Sequence, residues 1–521
     1  MRLDTKKIRE EAEKDFEKAW IESAKLLPEG GKFELKSKTK KHPLWDIIER
    51  ARGVLLEMGF TETIVPTLVH KYEVYRQYGP QAPIILDRIF FLAVLDRPDI
   101  GISEEKEKEL KKISENLDVV GLQRIFRRYK LGEISADDLP EIIMEELHLN
   151  EEQSSRVLSL FKEFRELQPR PTEMTLRSHT TAGWFMVLPE MMKREPLPLQ
   201  LFSIGPKYRR EQKLDSSHLY ESWTASLVIM DEELGLTDGI KVTKEFLRRM
   251  GYEKVELKTK KATSKYYAPQ TEFEVFIEHP KTGELIEVGD GGMYSPIALA
   301  NYEIPYPVFN LGVGLERLAM IETGEKDIRA LVYPYLYQAV YFTDEQLAKM
   351  VNLLRVPQTK EGMEIAERIE KVASERKDEI APCSFVVWEG NLFGRRVKVE
   401  IFEHEEGKKL VGPAGFNELY VYQGNLIGIP PSGWKLADEI RRLGIPVGIN
   451  YMRAFAMLAA ATIEEACREG KKSVEIEVKN IKNPADINLC LQAPFEYYLT
   501  SQQKKIDVRG PFFTSVRATI E

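Results

Sequence analysis

Cysteine is scarce: three residues in 521, Cys383, Cys467 and Cys490, with no CxxC pair among them. That spacing argues against a disulfide framework and against a structural zinc site, and it fits a reducing cytosol. Long apolar runs are missing as well. No uninterrupted stretch approaches the ~20 residues that a bilayer-spanning helix needs, and Met1-Arg2-Leu3-Asp4-Thr5-Lys6-Lys7 has no apolar leader core. The expectation is a soluble, cytoplasmic protein without a membrane partner. Strong basic charge is also lacking. The net charge of −8 gives no general attraction for nucleic acid, although Asn391 to Glu521 holds 18 Lys and Arg against 16 Asp and Glu. Neither an internal repeat nor a low-complexity tract is present.

What is there supports several packed cores. The chain is 43% hydrophobic and long enough for two to four domains. Residues 1–27 read as one charged amphipathic helix ended by Pro28-Glu29-Gly30-Gly31. After His42-Pro43, the residues Leu44, Ile47, Ile48, Ala51, Val54, Leu55 and Met58 recur at helical spacing and predict one buried face. Gly59 ends that helix, and Phe60 to Pro66 alternates as a strand. Residues 101–168 read as a charged helical insertion with Leu and Ile stripes, broken at Gly132 and Pro140. From 172 to 335 short alternating segments such as Val255-Glu256-Leu257-Lys258 and Phe273-Glu274-Val275-Phe276-Ile277 predict an antiparallel sheet. A polar linker and helix surround 357–379. Beyond Pro382, β segments alternate with helices, one of them running from about Ala454 to Arg468 with Phe455, Leu458, Ala459, Thr462 and Ala466 on one side.

Two arginines stand where packing calls for none. Arg209 follows the strand-like run Leu199 to Ile204, within Tyr208-Arg209-Arg210-Glu211. Arg317 opens a helix, within Gly312-Val313-Gly314-Leu315-Glu316-Arg317. Brought to one floor by a sheet, two guanidiniums can grip the ends of a triphosphate, because each matches phosphate oxygens bidentately. Taken singly, Arg-x-Glu is a surface salt bridge and GxGxxR a tight turn. Together and in order, they resemble motifs 2 and 3 of class II aminoacyl-tRNA synthetases, and the helix, Gly59, strand and Pro66 before them resemble motif 1, which builds that family's dimer interface. The resemblance implies ATP as substrate with Mg²⁺ as its ion. It casts Arg209 on the α-phosphate and the amino-acid carboxylate, Glu211 beside the adenine amino group and Arg317 on the γ-phosphate. Glu287, expected to end a strand, would carry magnesium, with Asp290 a weaker candidate.

Leu176-Arg177-Ser178-His179-Thr180-Thr181-Ala182, Asp215-Ser216-Ser217-His218 and Asp327-Ile328-Arg329 narrow the likeness to the phenylalanyl α-subunit branch. The strand Glu221 to Val228 is nevertheless ill suited to a phenyl ring. Alternation puts Thr224 and Ser226 on one face. With His179, Thr181 and Asn310 nearby, an apolar ligand would leave buried donors unpaired, at roughly 1–3 kcal/mol each. A phosphate monoester would satisfy them. These motifs, with Arg88-Ile89-Phe90-Phe91-Leu92 and the C-terminal module, closely resemble the O-phosphoserine–tRNA ligases over nearly the whole chain.

That resemblance implies a phosphoserine site made by His179, Thr180 and Thr181, by Thr224, Ala225 and Ser226, by Tyr266 and Tyr267, and by Asn310. Thr224 stands where a serine is expected, so the hydroxyl is kept and a methyl added. His179 as a packing or capping histidine, and Tyr266 with Tyr267 as a core aromatic pair of which at most one faces the pocket, are the bland alternatives. The resemblance further implies cysteine tRNA and O-phosphoserine as substrates, a homotetramer, Sep-tRNA:Cys-tRNA synthase as a further partner, and anticodon reading by Asn417, Glu418 and Tyr420. For that last segment a hairpin with a solvent-facing glutamate is the equal alternative.

The expected architecture is α+β: a class II antiparallel catalytic sheet flanked by helices, with a helical insertion and a C-terminal α+β anticodon-binding domain. The expected boundaries are 1–41 for an N-terminal helical extension, 42–345 for the catalytic domain with its insertion at about 101–168, 346–390 for a linker and helical region, and 391–521 for the C-terminal domain. Rival readings are a phenylalanyl enzyme, a non-catalytic tRNA-binding paralogue, and a ligase acting on a non-tRNA acceptor.

Overall fold

The computed structural model describes residues 3–27, 30, 35, 40–280 and 282–521. The chain divides into two compact units, Met1–Gln338 and Ala339–Glu521. The first is organised on a seven-stranded sheet. Its strands are β1 (Thr61–Glu62), β5 (Leu199–Tyr208), β6 (Glu221–Met230), β10 (Val308–Gly314), β9 (Leu285–Met293), β8 (Phe273–Glu278) and β7 (Val255–Thr259), in that spatial order. Every neighbouring pair is antiparallel except β1–β5. A second, three-stranded sheet places β4 (Pro169–Leu176) between β2 (Leu68–His70) and β3 (Phe91–Leu95).

The period-two pattern divides β6 between two cores. Ala225, Leu227 and Ile229 pack with Phe309, Leu311 and Val313 beneath the helices Pro43–Glu57, Leu236–Arg249 and Leu315–Thr323. Val228 and Met230 face the opposite core, with Trp184, Phe185 and Tyr267. Thr224 and Ser226 share this second face, as strand alternation requires.

The helix Pro43–Glu57 buries Leu44, Ile47, Ile48, Ala51, Val54 and Leu55. Pro43 stands at its first turn, and the His42 ring accepts from Leu44 N–H at 3.2 Å. Gly59, at φ +85°, supplies the left-handed turn after it. The strand expected over Phe60–Pro66 is only Thr61–Glu62, extended by Thr63 N–H on Phe202 C=O. Val65 then leaves the ladder to pack against Gly183, where a β-carbon would stand 2.7 Å from the valine's own.

Residues 101–168 are an insertion in a hairpin: Leu95 and Pro169 are paired across β3 and β4, and everything between them leaves and returns at that rung. The insertion has a core of its own, with Leu122, Ile125, Phe126, Ile143 and Phe161 buried. The single N-terminal helix expected over 1–27 is two, Thr5–Lys14 and Phe16–Ser23. Asp15 adopts an extended conformation between them, and its carboxylate accepts from Lys18 N–H, a local cap that competes with continuing the helix. Of the stop signal expected for that helix, Pro28, Glu29 and Gly31 lie outside the described residues.

The second unit holds two four-stranded sheets. One orders Cys383–Leu392, Arg395–Glu403, Ser515–Ile520 and Ser473–Glu477. The other orders Ile445–Asn450, Glu418–Tyr422, Asn425–Ile429 and Ile506–Asp507. The helix Tyr451–Arg468 is buried on nearly all sides rather than on one. The expected linker over 346–390 is instead part of this unit. Its helix Lys360–Arg376 buries Ile365, Ala366 and Ile369 in the common core, and Cys383–Leu392 is a strand of the first sheet. Among the described residues no helix is long and apolar enough to cross a membrane.

Candidate active site

A cavity of about 350 Å³ opens on the face of the large sheet that carries Thr224. Lys207 and Arg209 reach it from the end of β5, Ser222 and Thr224 from β6, and Glu287 and Asp290 from β9. Gly312, Gly314, Glu316 and Arg317 reach it from β10 and the helix that follows. Register explains the grouping. Ser226 pairs with Gly312, Gly312 with Asp290, and Thr224 with Gly314, so glycines lie between the polar side chains. A β-carbon on Gly312 would stand 3.6 Å from Thr224 Cγ2 and 3.7 Å from Asp290 Oδ1, taking up the floor of the cavity.

Glu287 stands within β9 rather than at its end. Between β8 and β9 the register slips: Val275 pairs with Gly289 but Phe276 pairs with Glu287, leaving Val288 as an extra residue. A bulge of this kind re-aims side chains. It resets the alternation, so that Glu287 and Asp290, three positions apart, both line the cavity. The guanidinium of Arg317 donates to Glu287 C=O at 2.6 Å and stands 3.7 Å from its carboxylate. Arg209 donates to Ser178 C=O at 3.1 Å, and Glu211 stands 3.4 Å from Arg88. The two predicted phosphate arginines therefore line one cavity, together with Glu211.

The cavity lining carries Arg88, Lys207, Arg209, Lys260 and Arg317 together with Glu211, Glu287, Asp290 and Glu316, and cations dominate around His179. Burial, followed by Arg209, Lys207, Arg88 and Lys260, holds the His179 imidazole well below its ordinary range, so it is neutral near pH 7. Burial, reinforced by Arg209, pushes Lys207 down to about 8. Burial raises Glu316 to about 7, although its carboxylate accepts the backbone N–H of Trp223. Such crowding of cations is costly in an empty site and is relieved by a negative ligand.

Beneath the cavity lies a saturated polar layer. Asn310 Oδ1 accepts from Tyr267 Oη at 2.9 Å and Thr181 Oγ1 at 3.3 Å. Its Nδ2 donates to Leu227 C=O at 2.9 Å and Ser226 Oγ at 3.2 Å. Ser226 Oγ also accepts from Trp184 Nε1 at 2.9 Å. Thr180, buried, stands at the N-cap position of the helix Thr181–Met191, with no side-chain cap hydrogen bond. Of the tyrosine pair, Tyr266 lines the cavity and Tyr267 turns down to Asn310, with ring centroids 4.4 Å apart. The pair lies on the loop between β7 and β8, not on a strand.

Thr224 is different. It is 4% exposed, lines the cavity, and its Oγ1 has no hydrogen-bond partner; among the described residues only Tyr294 Oη and Asn417 Oδ1 share that condition. Ala225 requires a correction: its side chain is in the core on the other face of β6 and does not reach the cavity.

Sequence reasoning missed Lys207, Lys260, Tyr78 and Ser178, all of which line the cavity. Lys207 was legible, since it stands two residues before Arg209 on the same strand face. Lys260 was not, because its buried partner Glu272 becomes its neighbour only once the β7–β8 hairpin fixes Thr259 opposite Phe273.

Among the described residues no group of three or more His, Cys, Asp or Glu side chains is arranged to hold a metal ion. Glu287 and Asp290 nevertheless suit magnesium arriving with a nucleotide, which takes one or two carboxylates and completes its shell with phosphate oxygens and water.

In the second unit, Asn417 is buried and its C=O accepts Tyr451 N–H. Glu418 is exposed, with Arg441 Nε at 3.5 Å. Tyr420 is half-buried against the cluster of Ile429, Ala437 and Ile440.

A model of the tRNA synthetases class II core domain (F) matches residues 98–340. Curated relatives align along the entire chain. The O-phosphoserine–tRNA(Cys) ligase of Archaeoglobus fulgidus is 42% identical over 100% of both chains. Those of Methanothrix thermoacetophila and Methanocaldococcus jannaschii are each 41% identical over 100% of this chain, covering 98% and 100% of theirs. The chain belongs to the O-phosphoserine–tRNA(Cys) ligase family. It is a ligase with a class II synthetase core, and the seven-stranded antiparallel-rich sheet is that core's scaffold. Among solved structures, a pyrrolysyl-tRNA synthetase from Desulfitobacterium hafniense aligns over 63% of this chain and 81% of its own at 16% identity, with a TM-score of 0.35, a likeness too low to carry an argument.

Proposed function

We propose that this chain activates O-phosphoserine with ATP and transfers it to cysteine tRNA. The observation that carries the reading is a cavity that sets a neutral imidazole and the side chain of Thr224, whose buried Oγ1 has no partner, among Lys207, Arg209, Arg88 and Lys260. A doubly negative phosphate supplies the acceptor and neutralises the cations. A phenyl ring does neither.

In the first step the carboxylate oxygen of phosphoserine attacks the α-phosphorus of ATP. The bond to the pyrophosphate oxygen breaks, giving an adenylate and pyrophosphate. In the second, the terminal ribose hydroxyl of the tRNA attacks the adenylate carbonyl, losing its proton as AMP leaves. Arg209 stabilises charge on the α-phosphate and orients the carboxylate, Glu211 meets the adenine amino group, and Arg317 holds the γ-phosphate. Glu287 and Asp290 would hold magnesium arriving with the nucleotide, which would supply neutralisation of phosphate charge. His179, Thr224 and Tyr266 meet the amino acid directly. Ser226, Thr180, Thr181, Tyr267 and Asn310 fix that wall from below.

In the C-terminal unit, Glu418 accepts from a guanine edge of the anticodon, with Asn417 and Tyr420 shaping its surroundings. The protein works in the cytoplasm as a homotetramer, with Sep-tRNA:Cys-tRNA synthase as a further partner. Exposed Ile64, together with Leu68, Phe91, Val94 and Leu95 on the two edge strands of the three-stranded sheet, supports such assembly.

Arg209→Ala tests the chemistry. It should lower phosphoserine-dependent ATP–pyrophosphate exchange by about 10²–10³-fold or more, with an unchanged circular dichroism spectrum. Near-normal exchange would refute the role given to this arginine.

A further inference from the structure

Glu272 is fully buried, a costly place for a carboxylate unless it is paired and hydrogen-bonded. Its partners all belong to the loop joining β7 to β8. Lys260 Nζ stands 3.0 Å from Oε1, and Ser264 donates through its backbone N–H at 2.6 Å and its hydroxyl at 3.2 Å. That loop brings three side chains to the cavity: Lys260, Ser264 and Tyr266. One carboxylate therefore fastens a cation and a hydroxyl along the wall that Tyr266 also lines.

Pairing with Glu272 does not use up the lysine. An ammonium has three donors, and only one is directed to Glu272. The side chain keeps 28% of its surface exposed and lines the cavity. Its charge also falls at a particular end of the site. The Lys260 N–H donates to Glu272 C=O and the Glu272 backbone lies against Gly292, the strand partner of Asn310, whereas Arg317 holds Glu287 C=O toward the other end of β9. The lysine thus stands at the His179–Tyr266 end, where the proposed function puts the amino acid, and away from the arginine given to the γ-phosphate.

We propose that Lys260, positioned by Glu272, selects the second negative charge of the substrate's phosphate. The hydroxyls and imidazole of this wall are neutral; they recognise tetrahedral oxygens without distinguishing a dianion from a monoanion of the same shape. A lysine held with donors free toward the cavity makes that distinction. Glu272 acts through it as a positioning residue.

The inference rests on the phosphoserine reading, so wild-type exchange is measured first, with phosphoserine and with O-sulfoserine, a tetrahedral monoanion. Absence of phosphoserine-dependent exchange in the wild type would remove both readings. With wild-type exchange present, Lys260→Met should raise the KM for phosphoserine about tenfold or more. It should leave the KM for ATP within about twofold and bring the phosphoserine and O-sulfoserine values toward equality. Lys260→Arg should restore most of the discrimination, and Glu272→Gln should lose part of it with the same split between the two KM values. If Lys260→Met does not fold, Lys260→Gln carries the same comparison. An unchanged phosphoserine-to-sulfoserine ratio, or a rise in the KM for ATP instead, would overturn the inference while leaving the phosphoserine reading standing.

Discussion

Thr224 is where stability and binding part company. Its methyl packs, but its hydroxyl is buried without a partner, and such a group costs roughly 1–3 kcal/mol. Thr224→Val keeps the shape and removes the orphan. The variant should melt higher, with about 1 kcal/mol of added stability, while its KM for phosphoserine rises about tenfold, the equivalent of 1.4 kcal/mol. A purely structural threonine would leave the KM unmoved. Alternation along Glu221–Val228 was enough to find this residue from sequence. The same rule, applied to Ala225, would have removed it from the pocket, since neighbours on a strand face opposite sides.

Lys207 sets the pH behaviour. In the free enzyme its ammonium titrates at about 8, pushed down by burial, and a phosphate monoester loses its second proton at about 6. The ratio kcat/KM for phosphoserine should therefore peak between these values, falling on the acid side as the dianion is lost and on the alkaline side as Lys207 discharges. Glu316, raised to about 7, titrates inside that window, so Glu316→Gln should retain the alkaline limb, and Lys207→Met should abolish it. The effect on stability has the opposite sense to an ion pair's. The folded pKa lies below the unfolded 10.5, so between about 8 and 10.5 the unfolded chain binds more protons, and stability rises with pH across that interval.

At the scale of elements, the site depends on how strands are joined. The bulge at Val288 brings Glu287 and Asp290 to one cavity, and no periodicity in Leu285–Met293 announces it. The sequence reading named both carboxylates but ended the strand at Glu287, whereas the strand runs on to Met293. The insertion was legible for the opposite reason: its Leu and Ile stripes demand a core of their own, which Leu122, Ile125 and Phe161 provide. Asp15 broke the predicted N-terminal helix because a local carboxylate cap outweighed a continuous charged pattern.

Close packing of helix Leu236–Arg249 on β10 gives a test of the scaffold. A β-carbon on Gly239 would stand 2.2–2.6 Å from the ring of Phe309, in the strand that carries Asn310 and Gly312. Gly239→Ala should destabilise the protein by about 1–3 kcal/mol through overpacking, seen as a lower denaturation midpoint. Gly235→Ala, at the start of that helix, has room, with its nearest neighbour at 3.5 Å, and should have a much smaller effect.

At the scale of the whole molecule, net charge was a poor guide. A chain of net charge −8 belongs to a tRNA ligase family, since mean charge does not record how charge is distributed over a surface. Domain organisation was only partly visible. The helix Lys360–Arg376 is polar enough to read as a linker, yet its buried stripe of Ile365, Ala366 and Ile369 joins the C-terminal core. Polar composition records the exposed face of such a helix and conceals the narrow apolar one.

The central claim is that the cavity accepts a dianionic amino acid beside an ATP clamp. The most direct test is ATP–pyrophosphate exchange by the intact enzyme, run in parallel with phosphoserine, serine, cysteine and phenylalanine. Exchange with phosphoserine alone is the predicted result; exchange driven by phenylalanine, or by none of the four, would contradict it.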